Sequence, residues 1–336
     1  MSVQYQAVLW NRQKRIYDTV LAGGIALYLV LFVAAGAWLN PAATAETLLI
    51  RGLATAAFLM LHVILCIGPL CRLDARFLPL LYNRRHLGVA MFLVALAHGS
   101  FALVQFHALG DVNPVVSVLM SAPSFSAAFQ PMGLAALAIL FAMAATSHDF
   151  WLHTLGARAW KPLHMGVYGA YALLIGHVSL GALQSETHPA LAGITFAGLL
   201  LVIVLHLAAA AKESRADNAE APTDGSGSVD AGDVMSIPDG RARVISVQGE
   251  RVAVFRHQGA VYAMSNVCRH QNGPLGEGRI VDGCVTCPWH GYQYDPGTGC
   301  SPPPYNDRVP IFETRVTQGR VYVNPRPVEH GDAAKQ

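Results

Sequence analysis

The chain has 336 residues, of which 53% are hydrophobic and only 13% carry a charge. A soluble globular protein carries roughly 25% charged residues, so the composition excludes a single water-soluble domain. The net charge of +2 gives no sign of a nucleic-acid-binding protein. Six cysteines in this length exclude a scaffold built from disulfides.

Charge is distributed unevenly along the chain. Residues 1–212 hold 17 of the 44 Asp, Glu, Lys and Arg side chains, although they make up well over half of the sequence. This pattern predicts a membrane-embedded half followed by a soluble half. Six apolar segments are long enough to cross a hydrocarbon core of about 30 Å, which takes about 20 residues. These predicted spans are 18–39, 50–71, 86–108, 131–147, 160–183 and 190–211.

Positively charged residues lie before the first span and in alternate loops after it. Such residues are enriched on the cytoplasmic side of membrane proteins, so both termini are expected in the cytoplasm. Residues 109–130, between the third and fourth spans, contain no Lys or Arg. We therefore expect an integral protein of a bacterial inner membrane. The residues concerned are Arg12, Lys14, Arg15, Arg72, Arg76, Arg84, Arg85, Arg158, Lys161, Lys212 and Arg215.

Several histidines lie within the predicted spans, where an unsatisfied polar ring is costly. A single one is more often a hydrogen-bond partner between helices, but several in one bundle favour axial ligands of haem. At 1.5 Å per residue, His98 lies about 18 Å and His177 about 25 Å from the cytoplasmic start of its span. These two are the expected pair for one b-type haem. The histidines considered are His62, His98, His107, His164, His177 and His206.

His164 lies only about 6 Å into its span and needs a different partner. His206 is the closest in depth, and His62 is next. On an ideal helix His164 and His177 point about 140° apart, so a shared face requires a bend, which the glycines between them allow.

Short motifs in the first half carry a likeness to a known family. Arg84-Arg85-His86-Leu87-Gly88 opens the span that bears His98, Thr146-Ser147 ends the next, and Trp160-Lys161-Pro162-Leu163-His164 opens the span that bears His177. Over about residues 45–185 the chain resembles the ferric-reductase-like transmembrane family. The resemblance implies haem at His98, His164 and His177. His62 and His206 lie outside the family pattern, and a haem-binding role for them is inferred only from position.

Arg84 and Arg85 have two interpretations. They contact haem propionates, a quinone or a flavin at the inner face, or they only set the topology.

Residues 213–233 contain no aromatic side chain and are rich in small polar residues, so they are predicted to form a flexible tether. A flexible chain of this length spans about 25 Å on average. The predicted organisation is a membrane domain at 1–212, the tether, a small all-β domain at 234–325, and a tail at 326–336.

The soluble half contains the most specific motif of the chain. Cys268-Arg269-His270 is followed, after sixteen residues, by Cys287-Pro288-Trp289-His290. Two Cys and two His side chains could bind zinc, but the first pair is spaced more tightly than in zinc fingers. The motif closely resembles that of the Rieske iron–sulfur family. The resemblance implies a [2Fe–2S] cluster with Cys268 and Cys287 on one iron and His270 and His290 on the other.

The same resemblance implies a low reduction potential. High-potential Rieske proteins carry a disulfide between the two ligand loops, and Gly273 and Trp289 stand at those positions here. Tyr292 replaces a serine that donates to a bridging sulfide, whereas Tyr294 keeps the phenol that can donate to a cysteine sulfur. Hydrogen bonds to sulfur stabilise the reduced cluster, so a cluster that receives fewer of them has a lower reduction potential. We expect the low end of the Rieske range of about −150 to +300 mV.

Together these features predict transmembrane electron transfer. A cytoplasmic reductase, such as a flavoprotein, is the expected donor, and a quinone, a periplasmic protein or a metal is the expected acceptor. No catalytic residue is predicted. The alternative is a membrane-anchored Rieske ferredoxin that serves a cytoplasmic oxygenase or the quinone pool.

Overall fold

The computed structural model describes residues 12–77, 79–121, 128–185, 188–217, 222–269, 273–288, 291–303 and 305–328. Within these ranges the first part of the chain is α-helical, and the part after residue 222 consists mainly of β-strands. Two compact units are present. One contains the helices up to residue 70 and residues 79–206, and the other contains residues 71–78 and the chain from 207 onward. The predicted fold class, a helical membrane half with a small all-β domain, is confirmed.

The described residues contain nine α-helices. They are α1 (Arg12–Leu39), α2 (Ala45–Leu73), α3 (Pro79–Tyr82), α4 (Arg84–His107), α5 (Pro114–Met120), α6 (Phe129–Ala145), α7 (Asp149–Leu180), α8 (Ala182–Ser185) and α9 (Pro189–Asp217).

Five helical segments are long and apolar enough to cross a membrane: α1, α2, α4, the segment Ala159–Ser185 and α9 up to Arg215. Helix α6 is apolar but has only 17 residues, somewhat fewer than the 20 or so that a full crossing takes. The six predicted spans therefore correspond to six apolar helices, five of which reach the expected length.

Helix α2 is the most enclosed of the candidate spans and forms the centre of the helical unit. Its Phe58, Leu61 and Leu65 side chains are buried against residues of α4, α6, α7 and α9. Helix α7 packs chiefly along α6. Because the two helices are antiparallel neighbours, residues far apart on α7 meet opposite ends of α6.

The β-domain contains a six-stranded antiparallel sheet in the order β1-β9-β8-β4-β3-β2 and a three-stranded sheet in the order β5-β6-β7. The strands are β1 (Val229–Asp233), β2 (Arg241–Val247), β3 (Glu250–His257), β4 (Ala260–Ser265), β5 (Arg279–Val281), β6 (Cys284–Thr286), β7 (Gln293–Tyr294), β8 (Ile311–Thr317) and β9 (Arg320–Pro327).

Four hairpins of this domain close through two-residue turns that end in glycine. In each turn both residues have a positive φ, as in Gln248 (50°) with Gly249 (78°). Such turns match the twist of the flanking strands, and glycine adopts this backbone without steric cost. The others are Gln258-Gly259, Asp282-Gly283 and Gln318-Gly319.

The connection between the two halves is shorter than the predicted tether of 213–233. Helix α9 continues to Asp217, and β1 begins at Val229 and pairs with β9 along the edge of the large sheet. Asp224 accepts hydrogen bonds from Ser226 and Ser228 and pairs with Arg315 at 2.6 Å. Small polar residues thus form a turn and an edge strand here, because their side chains hydrogen-bond to nearby backbone groups.

Candidate electron-transfer sites

His98 on α4 and His177 on α7 lie next to each other in the helical unit. Their ring centroids are 6.4 Å apart, and the rings are inclined by 74°. His98 Nδ1 donates to the carbonyl oxygen of Ile50 at 3.1 Å, and His177 Nδ1 donates to that of Phe129 at 2.6 Å. Since a carbonyl only accepts, each ring carries its proton on Nδ1 and keeps the lone pair of Nε2 for another partner.

His98 and His177 would hold a b-type haem through their Nε2 atoms, and the haem would supply one-electron chemistry at this place. A backbone carbonyl on the other ring nitrogen is the usual way in which a ligating histidine is oriented. The residues present thus match what a b-type haem requires of its ligands.

A glycine on α6 makes room for the His177 ring. A Cβ atom at Gly133 would lie 2.8 Å from both Nδ1 and Cε1 of His177. Such a contact is shorter than carbon atoms tolerate, so the imidazole can occupy its place only because residue 133 has no side chain.

His164 lies at the other end of α6. Its ring stacks on Trp160 with centroids 3.8 Å apart, and its Nε2 is 3.2 Å from the Thr146 hydroxyl. That hydroxyl donates to the Ala142 carbonyl at 2.7 Å, so it accepts from His164. The lone pair of His164 is therefore on Nδ1. An iron bond through Nε2 would require the Thr146 contact to open.

Both His164 and His177 contact α6, in spite of the 140° that separates them on an ideal helix. His177 follows His164 by thirteen positions on α7, which corresponds to roughly 20 Å along the axis. The two imidazoles thus lie at two well-separated depths on one side of the helical unit.

His62 and His206 have both ring nitrogens in hydrogen bonds. His62 donates to the Phe58 carbonyl and accepts from the Tyr171 hydroxyl at 2.9 Å. His206 donates to the Val202 carbonyl, and the Tyr168 hydroxyl lies 3.0 Å from its Nε2. In the described part of the chain, neither ring forms a hydrogen bond or a ring contact with His164. These partners correspond to the structural role that a single buried histidine most often has.

Arg84 and Arg85 begin α4, and both guanidinium groups are close enough to His164 to act on it electrostatically. The next residue, His86, places Nδ1 2.9 Å from one carboxylate oxygen of Asp18 on α1. The sequence did not lead us to predict this pair. The one feature that indicated it was the acidic residue Asp18 inside a predicted span.

In the β-domain, Cys268 and Cys287 are buried at the ends of two short loops. The Cys268 N–H donates to Gly273 O, and the Cys287 N–H donates to Tyr292 O at 2.8 Å. Each bond closes a loop around a thiol. His270 and His290, the predicted histidine ligands, lie outside the described residues.

Tyr294 lies beside the Cys268 thiol. Its hydroxyl is 3.5 Å from Cys268 Sγ and accepts from the Arg269 N–H at 2.9 Å. Burial, together with the neighbouring thiol, raises the pKa of Tyr294, so the phenol remains protonated and can donate to sulfur. The contact between the Tyr294 hydroxyl and Cys268 Sγ is the one that the predicted hydrogen bond to a cysteine sulfur requires.

Tyr292 stands where other Rieske proteins have a serine that donates to a bridging sulfide, but its hydroxyl has a different partner. Its hydroxyl donates to the carboxylate of Asp307, and its ring packs against Tyr305 with centroids 4.8 Å apart. Burial first, and then this carboxylate, raise the pKa of Tyr292. The Tyr292 hydroxyl thus links the second ligand loop to the segment around Asp307.

Among the described residues, which include all six cysteines, no disulfide is formed. Burial, followed by Asp295 and Asp282, raises the pKa of Cys284, which therefore lacks the activated thiolate of a reactive cysteine. In the described part of the chain, no group of three or more His, Cys, Asp or Glu side chains is placed to hold a metal ion. Cys268 and Cys287 fit a [2Fe–2S] cluster by the chemistry of their thiols and their burial.

Comparison with known proteins identifies both halves. Residues 51–175 match the family model of the ferric reductase like transmembrane component, and residues 228–313 match that of the Rieske [2Fe-2S] domain. The chain belongs to the Rieske [2Fe–2S] family and carries a ferric-reductase-like transmembrane domain before its Rieske domain. The two matched domains and the apolar helices support a membrane location and a part in electron transfer. Both predicted resemblances are confirmed.

Individual relatives match the Rieske half. The anthranilate 1,2-dioxygenase ferredoxin subunit of Burkholderia cepacia is 38% identical over 82 residues, which are 23% of this chain and 74% of that protein. The ferredoxin component of the alkene monooxygenase system of Xanthobacter autotrophicus is 31% identical over 107 residues, 31% of this chain and 88% of that protein.

The chain also matches parts of larger proteins. Cholesterol 7-desaturase nvd 1 of Ciona intestinalis is 33% identical over 82 residues, and the chain spans only 17% of its length. Among solved structures, the ferredoxin of carbazole 1,9a-dioxygenase from Nocardioides aromaticivorans is 26% identical, with 30% of this chain and 98% of that chain covered and a TM-score of 0.28.

Proposed function

We propose that the protein carries single electrons across a bacterial inner membrane, with both termini and the Rieske domain in the cytoplasm. A cytoplasmic reductase supplies the electrons at the Cys268–Cys287 site. They leave by way of the His98–His177 site to a quinone or to an acceptor at the outer face. The geometry of the His98–His177 pair supports this proposal most directly, because a simple anchor has no need of two such imidazoles.

When bound, a [2Fe–2S] cluster and a b-type haem each accept and release one electron at a time. The chain's own residues hold these groups in place. Cys268 and Cys287, with His270 and His290, are the proposed cluster ligands, and the carbonyls of Ile50 and Phe129 orient the proposed haem ligands. His164, near Arg84 and Arg85, is the proposed ligand of a second haem closer to the inner face.

A second candidate function is favoured by the named relatives. Ferredoxin components of dioxygenase and monooxygenase systems match the Rieske half over most of their length. In that case the helices anchor the domain, which delivers electrons to a cytoplasmic oxygenase.

Vesicles separate the two functions. The full-length protein, reconstituted with ferricyanide trapped in the lumen, receives electrons from NADH and an added flavoprotein ferredoxin reductase outside. If electrons cross the membrane, the trapped ferricyanide is reduced and its absorbance falls. In the C287S variant and in the H98L variant the absorbance should not fall. Reduction of the cluster without any bleaching would contradict the transmembrane route and favour the anchored ferredoxin. Protein-free vesicles with the same reductase control for leakage.

A further inference from the structure

Five charged side chains come together within the unit that contains residues 71–78 and the chain from 207 onward. They come from the last turn of α2, the last turns of α9, strand β3 and the turn before β5. We call this group the charged seat, and its members are Arg72, Lys212, Glu213, Arg251 and Glu277.

Lys212 fixes the helical side of the seat. Its ammonium donates to the carbonyl oxygens of Arg72 and Leu73, at 2.9 Å each. These carbonyls belong to the end of α2, where no helical N–H is left to satisfy them and where a cation is favoured by the helix dipole. Lys212 therefore ties the extension of α9 to the end of α2.

Glu213 joins this helical side to the Rieske domain. Its Oε1 is 3.4 Å from Arg72 Nε and 3.9 Å from Arg251 Nη1, and its backbone carbonyl accepts from Arg251 Nη2 at 3.2 Å. Glu277 also interacts electrostatically with the other four members. One acidic side chain between two arginines thus carries the contact.

Arg251 is connected by backbone hydrogen bonds to the first ligand loop. Its carbonyl accepts from the N–H of Asn266, and Asn266 in turn accepts from the N–H groups of Leu275 and Gly276. Asn266 is buried and stands two residues before Cys268. The seat is therefore coupled to the loop that presents the first thiol.

The contact is weak by its nature. The side chains of Arg72, Glu213 and Arg251 remain 48%, 34% and 30% exposed, and ion pairs of this kind are partly screened by salt. A contact that rests on such pairs opens and closes readily.

We propose that the charged seat is a reversible docking surface, on which the Rieske domain binds the cytoplasmic ends of α2 and α9. Docking brings the first ligand loop to the helix ends, and release frees it for a soluble donor. Ionic strength sets the docked fraction. The proposal rests on the proposed function for its role in transfer, but the docking itself is testable without it.

The test uses hydrogen–deuterium exchange of the full-length protein in detergent, read on peptides that cover residues 273–278 and 207–215. For the wild type we expect exchange of both peptides to rise with ionic strength. At low salt, E213Q and R251Q each raise exchange about two- to fivefold. The effect of the double variant E213Q/R251Q falls short of the product of the two single effects, because both substitutions remove the Glu213–Arg251 ion pair.

The matched control is R326Q, which removes one positive charge from an exposed position of the same domain outside the seat. It should leave the salt dependence unchanged. Exchange that is insensitive to salt in the wild type, or single variants that equal R326Q, would overturn the proposal. So would a double variant whose effect is the product of the two single effects.

A second measurement is the rate at which the haem becomes reduced after the cluster has been reduced rapidly. Docking predicts that this transfer slows in E213Q and R251Q but not in R326Q. If the wild type shows no transfer at all, the proposed function fails, while the exchange measurement still decides whether the seat exists.

Discussion

Among the histidines of the helical unit, the partners of the two ring nitrogens distinguish candidate ligands from structural residues. His98 and His177 use Nδ1 on backbone carbonyls, whereas His62 and His206 also use Nε2, on tyrosine hydroxyls. The sequence pattern alone could not make this distinction, because it depends on which residues of neighbouring helices face each ring.

This distinction leads to a prediction for the haem spectrum. H98L and H177L should each lower the haem content, and with it the Soret absorbance, of the site that the two residues share, because one imidazole would hold a haem less tightly than two. H206L serves as the matched control and should retain the full spectrum. Absorbance and pyridine haemochrome analysis of the purified proteins give the haem content. An unchanged spectrum in H98L would show that the ligand assignment is wrong.

A second prediction at this scale concerns the hydroxyl of Tyr294. Y294F removes a donor to Cys268 Sγ, so the reduced cluster loses stabilisation of about 1 kcal/mol and the potential falls by about 40 mV. A redox titration followed by electron paramagnetic resonance measures this shift. Y322F removes a phenol on β9 and should leave the potential unchanged. Equal potentials in all three proteins would rule out the sulfur hydrogen bond.

At the scale of elements, helix α6 positions two imidazoles. Its first residue, Phe129, accepts from His177, and Thr146, just after its end, contacts His164. A short apolar helix of 17 residues therefore sets the separation of both sites. Helix α6 has room for the His177 ring because residue 133 is a glycine and has no side chain.

We expect G133A to displace the His177 ring, because the added methyl group would approach two ring atoms to 2.8 Å. The expected result is reduced haem occupancy in a protein that still folds. G169A is the matched control, since no atom outside its own helical backbone lies within 4 Å of a Cβ at that position. Haem content and circular dichroism compare the two variants. Full occupancy in G133A would mean that His177 adopts another position when haem binds.

Much of the architecture is predictable from the sequence at this scale. Apolar length identifies the helical spans, glycine-terminated turns mark the hairpins, and two Cys-x-His-type loops identify the Rieske domain. The tether was predicted too long, because small polar residues are equally suited to turns and edge strands. The Asp18–His86 pair could not be predicted, since it joins residues 68 positions apart.

At the scale of the whole molecule, β1 is the strand by which the chain enters the Rieske domain from the helices. Asp230 on this strand pairs with Arg320 on β9 through two hydrogen bonds, the shorter at 2.6 Å. Burial by itself raises the pKa of Asp230, but the bonds from Arg320 and from the Gly232 N–H outweigh it and leave the pKa below its ordinary value of 3.8.

This pairing makes the attachment of β1 dependent on pH. Because the folded pKa is lowered, the stabilisation is complete well above pH 3.8 and is lost as the pH falls through the folded pKa. D230N should therefore increase amide exchange of residues 229–233 at pH 7, and the difference from the wild type should vanish in acid. D282N, in the β5–β6 turn, is the control. A difference that persists unchanged in acid would contradict a role for the carboxylate charge.

The pairing of β1 with β9 places the first and last strands of the Rieske domain side by side. Entry and exit of the polypeptide consequently share one edge, and the fold between them is complete in itself. Such a module can be transplanted behind a different membrane helix, or have a further protein appended after it, without threading new chain through its interior. Recombination of iron–sulfur heads with unrelated anchors is thereby open to both evolution and engineering.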